Sequence, residues 1–169
     1  MEAAYARVVA LQGQGEYSES AALARQLVKL YPASARRGVL LQRRGDALLF
    51  DGIGMLDTSA RPARLEDAVD SYKEALASPG LNARLTARFH LGTALLLLGK
   101  FQAAREVLEK VTKAAAQSTD DQVRIRTAAA PGLLGQLYLV EGERLSGDAL
   151  SAARAAQSLE KAEKYLAEF

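Results

Sequence analysis

Cysteine and tryptophan are absent from this sequence of 169 residues, and histidine occurs once. Without cysteine, disulfides, thiolate nucleophiles and thiolate metal ligands are all excluded. The single histidine, His90, stands between Phe89 and Leu91, a setting typical of a packed or surface histidine on a helix rather than a catalytic one. We therefore predict a protein that is not an enzyme.

Motifs that bind metals, phosphates or cofactors are also missing. The sequence has no His-Glu-x-x-His, no calcium loop of the EF-hand type and no Gly-x-x-x-x-Gly-Lys-Ser/Thr. The acidic pairs Glu66-Asp67 and Asp120-Asp121 stand at turns or helix starts, where carboxylates complement the helix dipole. No cofactor and no metal site is expected.

Charge of one sign and long apolar runs are lacking too. The 22 basic and 20 acidic residues nearly balance, at a net charge of +2, which gives no electrostatic argument for a nucleic-acid partner. The longest apolar run, Ala94 to Leu98, has five residues, whereas a membrane-spanning helix needs about 20. Met1 to Ala4 lack the order of a secretory signal. We expect no membrane span and a cytoplasmic location, or a periplasmic one if the chain has been trimmed.

What the sequence does have is a composition rich in strong helix formers. Alanine, leucine, arginine and glutamate dominate, and 49% of the residues are hydrophobic against 25% charged. This composition favours an all-α protein, and the length is that of one domain. We therefore predict a single helical domain over residues 1–169.

One stretch, residues 88–111, has small and large apolar residues at fixed offsets: Gly92, Leu95, Gly99, Phe101, Ala104, Leu108 and Val111. If two helices are separated at Gly99, the small residues Gly92 and Ala104 fall where the helices approach closely. This spacing resembles the tetratricopeptide repeat, a helix–turn–helix unit of about 34 residues. The resemblance implies a right-handed superhelical stack of antiparallel helix pairs.

Similar positions recur along nearly the whole chain, which predicts four helix pairs, at about 2–32, 35–79, 82–116 and 120–168. The matches outside the third pair are Gly15, Tyr17, Leu27 and Pro32 in the first, Leu41, Gly45 and Leu48 in the second, and Leu134, Gly135 and Tyr138 in the fourth. Wider spacing predicts longer helices or inserted loops in pairs two and four: Leu48 to Leu65 is 17 residues and Tyr138 to Leu159 is 21, against 6 from Leu95 to Phe101.

Glycine, proline and capping residues predict where these helices end. Three glycines are expected to follow the first helices of pairs one, three and four: Gly15, Gly99 and Gly142. Other boundaries are predicted at the stop before Pro32, a turn from Asp57, an N-cap at Asn82 and a last helix starting near Ala149. Residues 122–129 are expected to form a kink or a short separate turn.

In tetratricopeptide proteins the first helix of each pair lines a concave surface that holds partner peptides. Carried over through Gly45, Gly92 and Gly135, this surface implies the following groove residues: Tyr5, Val9, Gln12, Gln42, Asp46, Leu49, Phe50, Phe89, Thr93, Leu96, Gln136 and Leu139. Family members that grip a C-terminal carboxylate have lysine and asparagine at such positions, which this sequence lacks there. The resemblance implies a protein–protein interaction module or scaffold that takes an amphipathic helix or an apolar peptide. The plainer interpretation is packing between neighbouring helices.

A basic cluster offers a second surface. Arg36, Arg37, Arg43 and Arg44 lie within nine residues, and their seven-residue spacing predicts a stripe along one helix that could contact phosphates or an acidic partner. A solvated charged face is the favoured interpretation.

Two other functions stay open. Repeat stacks expose apolar surface at their ends unless they are capped, so a second copy of the chain is a candidate partner in a homo-oligomer. The stack is alternatively a regulatory segment of a larger protein.

Overall fold

The computed structural model describes residues 1–56, 58–79, 84–146 and 152–167. All regular structure in these ranges is α-helical, which confirms the predicted fold class. The helices are α1 Glu2–Gly13, α2 Tyr17–Leu30, α3 Arg37–Gly54, α4 Arg61–Ala77, α5 Arg84–Leu97, α6 Phe101–Ala116, α7 Asp121–Thr127, α8 Ala130–Ser146 and α9 Ala152–Ala167. Within the described ranges, no helix is both long and apolar enough to cross a membrane.

The chain divides into two compact units, an N-terminal unit at Met1–Lys100 and a C-terminal unit at Phe101–Phe169. In the N-terminal unit each helix packs on the next one along the chain, and α3 also contacts α1 and α5. The three helices α1, α3 and α5 therefore form a row in which α3 is the middle member. The expectation of a single domain stays a prediction.

The core of the N-terminal unit starts where α1, α2 and α3 meet. A buried apolar cluster forms there from Val8, Ala24, Leu27 and Leu40. The apolar residues of these helices recur at helical spacing, which predicts a buried face. Ser20 is buried beside them, and its hydroxyl donates to the carbonyl of Val8 at 3.1 Å. Its polar group is therefore satisfied within the core.

Glycine ends α1 and α5 in the same way, as the sequence predicts. Gly15 has φ +81° and Gly99 has φ +70°, in the left-handed region that glycine adopts without strain. Two amides after each helix donate back to its last turn: Gly15 to Gln12, Glu16 to Leu11, Gly99 to Leu96 and Lys100 to Leu95. This pattern is the Schellman motif. Pairs one and three thus share one turn geometry.

The other predicted boundaries of the N-terminal unit agree in part with the structure. α2 ends at Leu30, directly before Tyr31 and Pro32. α3 continues to Gly54 and α4 begins at Arg61 with proline in its first turn, so much of the predicted insertion lengthens the helices of pair two. The predicted turn at Asp57 and the predicted N-cap at Asn82 lie outside the described residues.

Gly45 marks a close approach between α3 and α4, as predicted. A Cβ atom added at Gly45 would lie 2.7 Å from Cε1 of Tyr72 and 2.9 Å from two further ring carbons. Carbon atoms do not approach so closely without a shift of one of the helices. Glycine at this position therefore allows the Tyr72 ring to approach the backbone of α3 closely.

In the C-terminal unit, α6 contacts α7 and α8, and α8 packs on α9. Its buried apolar residues include Ala104, Leu108 and Val111 of α6 and Leu134 of α8. The short helix α7 falls within the region where a separate turn was expected. The Asp120 carboxylate caps it by accepting from the amides of residues 122 and 123 at 2.9 and 3.3 Å.

One predicted boundary of the C-terminal unit is wrong. Gly142 does not end α8, which continues to Ser146. A single glycine inside a helix costs only about 1 kcal/mol, and the packing of α8 on α9 offsets a penalty of that size. The predicted start of the last helix near Ala149 lies outside the described residues.

Candidate functional site

Six side chains from four helices of the N-terminal unit, the single histidine among them, form one cluster. This His90 cluster consists of Tyr17 of α2, Asp46 and Phe50 of α3, Tyr72 of α4, and Phe89 and His90 of α5. Its ring centroids are 5.6 Å apart for Tyr17 and Phe50, 6.2 Å for Phe50 and His90, 6.1 Å for Tyr72 and His90, and 5.6 Å for Phe89 and His90. Aromatic pairs attract at such separations.

Asp46 is the polar centre of the cluster. It is only 6% exposed, and burial of a carboxylate is costly unless donors surround it. Its Oδ1 accepts from the hydroxyl of Tyr72 at 2.9 Å and contacts Nδ1 of His90 at 2.8 Å. One buried carboxylate therefore joins α3 to both α4 and α5.

The environment of Tyr72 keeps its phenol protonated. The pKa of Tyr72 is raised well above its ordinary value, first because the ring is buried and then because the Asp46 charge and its hydrogen bond oppose ionisation. Tyr72 is therefore a permanent donor to Asp46 at physiological pH.

Asp46 also fixes the tautomer of His90. An ionised carboxylate only accepts hydrogen bonds, so the proton between the two groups belongs to Nδ1 of His90. In the neutral imidazole the second nitrogen, Nε2, is then an acceptor. Within the described part of the chain, Nε2 has no hydrogen-bond partner, and the buried side-chain atoms without partners are Arg61 Nε and Thr112 Oγ1. Nε2 is therefore not fully buried, in line with the 19% exposure of the His90 side chain.

The outer part of the cluster forms what we call the aromatic patch: Phe50, Phe89 and His90. Phe50 is 42% exposed, Phe89 is partly buried, and the side chain of His90 is 19% exposed. The inner part, Tyr72 and Asp46, is buried. The patch is thus an accessible apolar surface held from below by hydrogen bonds.

The predicted groove residues of α3 and α5 fall into two groups. Three of the α3 residues are buried: Gln42, Asp46 and Leu49. These three residues are placed as the alternative interpretation expects, in the packing between neighbouring helices. The other predicted groove residues of α3 and α5 are partly or well exposed: Phe50, Phe89, Thr93 and Leu96. The structure brings Asp46, Phe50 and Phe89 together through His90.

The predicted groove residues of α1 are mostly engaged with α3. The Gln12 amide donates to the carbonyl of Arg43 at 2.6 Å, and the Arg43 guanidinium donates back to Gln12 Oε1 at 3.3 Å. The guanidinium of Arg36 lies over the Tyr5 ring, 4.8 Å from its centroid. Val9 remains 37% exposed.

The four arginines of the predicted basic stripe turn to different neighbours. Arg36 pairs with Glu2 at 2.7 Å and Arg43 bonds Gln12, both on α1. Arg37 pairs with Glu74 at 3.1 Å and Arg44 with Asp67 at 3.8 Å, both on α4. Each of the four arginines thus has a polar partner on α1 or α4. A basic stripe that binds phosphates or an acidic partner stays a prediction.

The two predicted groove residues of the C-terminal unit, Gln136 and Leu139, are both exposed on α8. They belong to no cluster like that of His90 within the described residues. The polar contacts of this unit lie around Tyr138 instead, which donates to Glu109 and has Arg105 and Lys161 over its ring at 5.6 and 5.0 Å. A cavity of about 330 Å³ adjoins Tyr138 and Glu109.

Sequence reasoning missed Tyr17, Tyr72 and the role of His90. Two signals were present in the sequence. His90 directly follows the predicted groove residue Phe89, and Tyr72 is the one aromatic residue in the segment that forms α4, the helix opposite Gly45.

No group of three or more potential metal ligands occurs among the described residues. No protein-family model, curated protein or solved structure matches the chain.

Proposed function

We propose that the chain is a non-catalytic protein–protein interaction module, built as a right-handed, tetratricopeptide-like stack of four helix pairs. Its partner is a peptide or an amphipathic helix that lies along the first helices of the pairs. The observation that carries this proposal is the exposure of Phe50 beside Phe89 and His90. Large aromatic side chains on an ordered surface are typical anchors of protein interfaces.

The aromatic patch suits recognition because it is rigid before any partner arrives. Phe50 contacts the rings of Tyr17 and His90, and His90 is held by Asp46. A partner that covers Phe50 therefore gains apolar contact without ordering a mobile side chain, and ordering costs about 0.5–1.5 kcal/mol per side chain.

Three observations support the tetratricopeptide-like arrangement. The helices α1, α3 and α5 contact one another in turn, as the inner layer of such a stack does. The turns after α1 and α5 share the Schellman geometry at Gly15 and Gly99. Gly45 receives the ring of Tyr72, as expected of the small residue at the position of closest helix approach.

The chemistry of the His90 cluster supports a binding role over a catalytic one. Asp46 is buried and already accepts from two donors, so it orients His90 rather than reacting. Tyr72 has a raised pKa and remains a neutral donor. The Tyr72 hydroxyl, which shares Asp46 with His90, donates its proton to that carboxylate and not to His90, so the pair lacks the nucleophile–base hydrogen bond of a covalent mechanism.

The test is a capture experiment with three proteins in parallel: wild type, Phe50→Ala and Leu30→Ala. Leu30 is 61% exposed on α2, so its truncation removes a comparable apolar group away from the patch. We expect partners retained by wild type and Leu30→Ala to be lost, by about tenfold or more, with Phe50→Ala. Equal retention by all three proteins would remove the patch as the recognition surface. Self-assembly and a regulatory role in a larger protein stay predictions.

A further inference from the structure

We propose that the bound partner places an aromatic side chain with a hydrogen-bond donor, the phenol of tyrosine or the indole of tryptophan, on the aromatic patch and donates to Nε2 of His90. This inference rests on the proposed function and specifies the chemistry of its partner. It follows from Nε2 of His90, which has no hydrogen-bond partner among the described residues.

The hydrogen bonds of Asp46 decide whether Nε2 of His90 donates or accepts a hydrogen bond. Nδ1 of His90 is engaged by Asp46 at 2.8 Å, and the second donor on Asp46, Tyr72, keeps this carboxylate fixed at 2.9 Å. The two ring nitrogens of an imidazole point away from each other. Because Nδ1 points to the Asp46 carboxylate, Nε2 points away from that carboxylate and is an acceptor in the neutral ring.

The surroundings of Nε2 select what can donate to it. Phe50 and Phe89 approach the His90 ring with centroids at 6.2 and 5.6 Å, so a donor must enter an apolar setting. Tyrosine and tryptophan combine a large apolar body with a single polar group at the edge. Phenylalanine would cover Nε2 without a bond, and a covered acceptor without a partner is unfavourable.

A cationic side chain fits the same patch less well. An ammonium or guanidinium group would gain from the faces of Phe50 and Phe89. However, the one carboxylate of the cluster, Asp46, is buried and already accepts from Tyr72 and His90. Because Asp46 is only 6% exposed and two donors already share its charge, a cation on the patch would gain little from it while losing part of its own hydration.

The test uses three probes on the unmodified protein at about pH 8, where an ordinary histidine is neutral. They are N-acetyl-tyrosinamide, its O-methyl ether, which keeps the ring, the oxygen and the amide groups but has no phenolic donor, and N-acetyl-phenylalaninamide. His90 is the only histidine, so its imidazole ¹⁵N resonances can be followed without assignment ambiguity. A fourth titration with N-acetyl-lysinamide tests the cationic occupant.

We expect the tyrosine probe to bind roughly three- to tenfold more tightly than the ether and the phenylalanine probe, the effect of one net hydrogen bond. We also expect the tyrosine probe alone to move the Nε2 resonance towards the protonated type. Equal affinities of the three aromatic probes, an unmoved Nε2 resonance or tighter binding of the lysine probe would each overturn the inference.

The two proposals fail separately. If the aromatic probes bind equally and only in the presence of Phe50, the patch remains a recognition surface and the donor requirement is wrong. If Phe50→Ala retains every captured partner, the proposed function is wrong whatever the probes do.

Discussion

Among the described residues, each compact unit has a buried tyrosine that donates to a carboxylate, and the two carboxylates differ in their access to water. Tyr72 donates to Asp46, which is 6% exposed and also holds His90. Tyr138 donates to Glu109, which is partly exposed beside a cavity of about 330 Å³. Water can therefore replace Glu109 as an acceptor more readily than it can replace Asp46.

The two tyrosines also differ in the charged groups that surround them. No cation of the described residues contacts the ring of Tyr72, whereas Arg105 and Lys161 lie over Tyr138, and Arg105 also pairs with the half-exposed Glu141. Partly exposed ion pairs contribute little individually. Around Tyr138 the polar contacts are thus shared among several partly exposed groups, whereas Tyr72 and His90 both depend on the carboxylate of Asp46.

The largest effect is expected when the two acceptors are deleted in turn. Asp46→Ala leaves two donors, Tyr72 and His90, without an acceptor inside the N-terminal unit, and we expect a loss of about 3 kcal/mol in the free energy of unfolding. Glu109→Ala admits water and should cost below about 1 kcal/mol. Urea denaturation of both variants measures the difference, and similar losses would remove the contrast between the units.

A second pair of variants tests the close contact below the cluster. Gly45→Ala places a methyl group 2.7 Å from the Tyr72 ring, and overpacking of this kind costs about 1–3 kcal/mol. Gly54→Ala, in the same helix with nothing within 4 Å, should be neutral or stabilise by up to about 1 kcal/mol. Thermal denaturation should move in opposite directions for the two variants. A tolerated Gly45→Ala would contradict the close approach of α3 and α4.

The smallest effect is expected at alkaline pH. The pKa of Tyr72 is raised in the folded state, so its contribution to stability is complete below about pH 10, the ordinary tyrosine pKa. Above that pH the unfolded chain loses the Tyr72 proton first, and stability falls by up to about 1.4 kcal/mol per pH unit.

The matching variants separate this slope from other alkaline titrations. Tyr72→Phe should lower stability by about 1 kcal/mol at neutral pH and make the fall above pH 10 shallower. Tyr31→Phe, at a 45% exposed position, should leave the fall unchanged. An identical alkaline slope in wild type and Tyr72→Phe would show that the phenol does not keep its proton in the folded state.

Local chain chemistry made much of the N-terminal fold predictable. Gly15 and Gly99 were identified as helix ends because a left-handed residue is needed there and glycine adopts it freely. Gly45 was identified as a close contact because small residues at helical spacing mark one face. The prediction that Gly142 ends α8 was wrong because the free-energy cost of one glycine inside a helix is small compared with the packing of α8 on α9.

The site was less predictable because its determinants are far apart in the chain. Asp46 was placed on the groove with Phe50, but its donors, Tyr72 and His90, are 26 and 44 residues away. Helical periodicity gives the direction of a side chain around its own helix. It does not say whether that direction meets solvent or a neighbouring helix, so Asp46 was predicted as a contact and is observed as a buried support.

The ¹⁵N chemical shifts of the His90 imidazole in the free protein test most directly whether Asp46 supports the aromatic patch. Because His90 is the single histidine, two resonances describe its tautomer completely. At about pH 8 we predict a protonated-type shift for Nδ1 and an unprotonated-type shift for Nε2, with this preference lost in Asp46→Ala. A wild-type histidine with its proton on Nε2 would contradict the account.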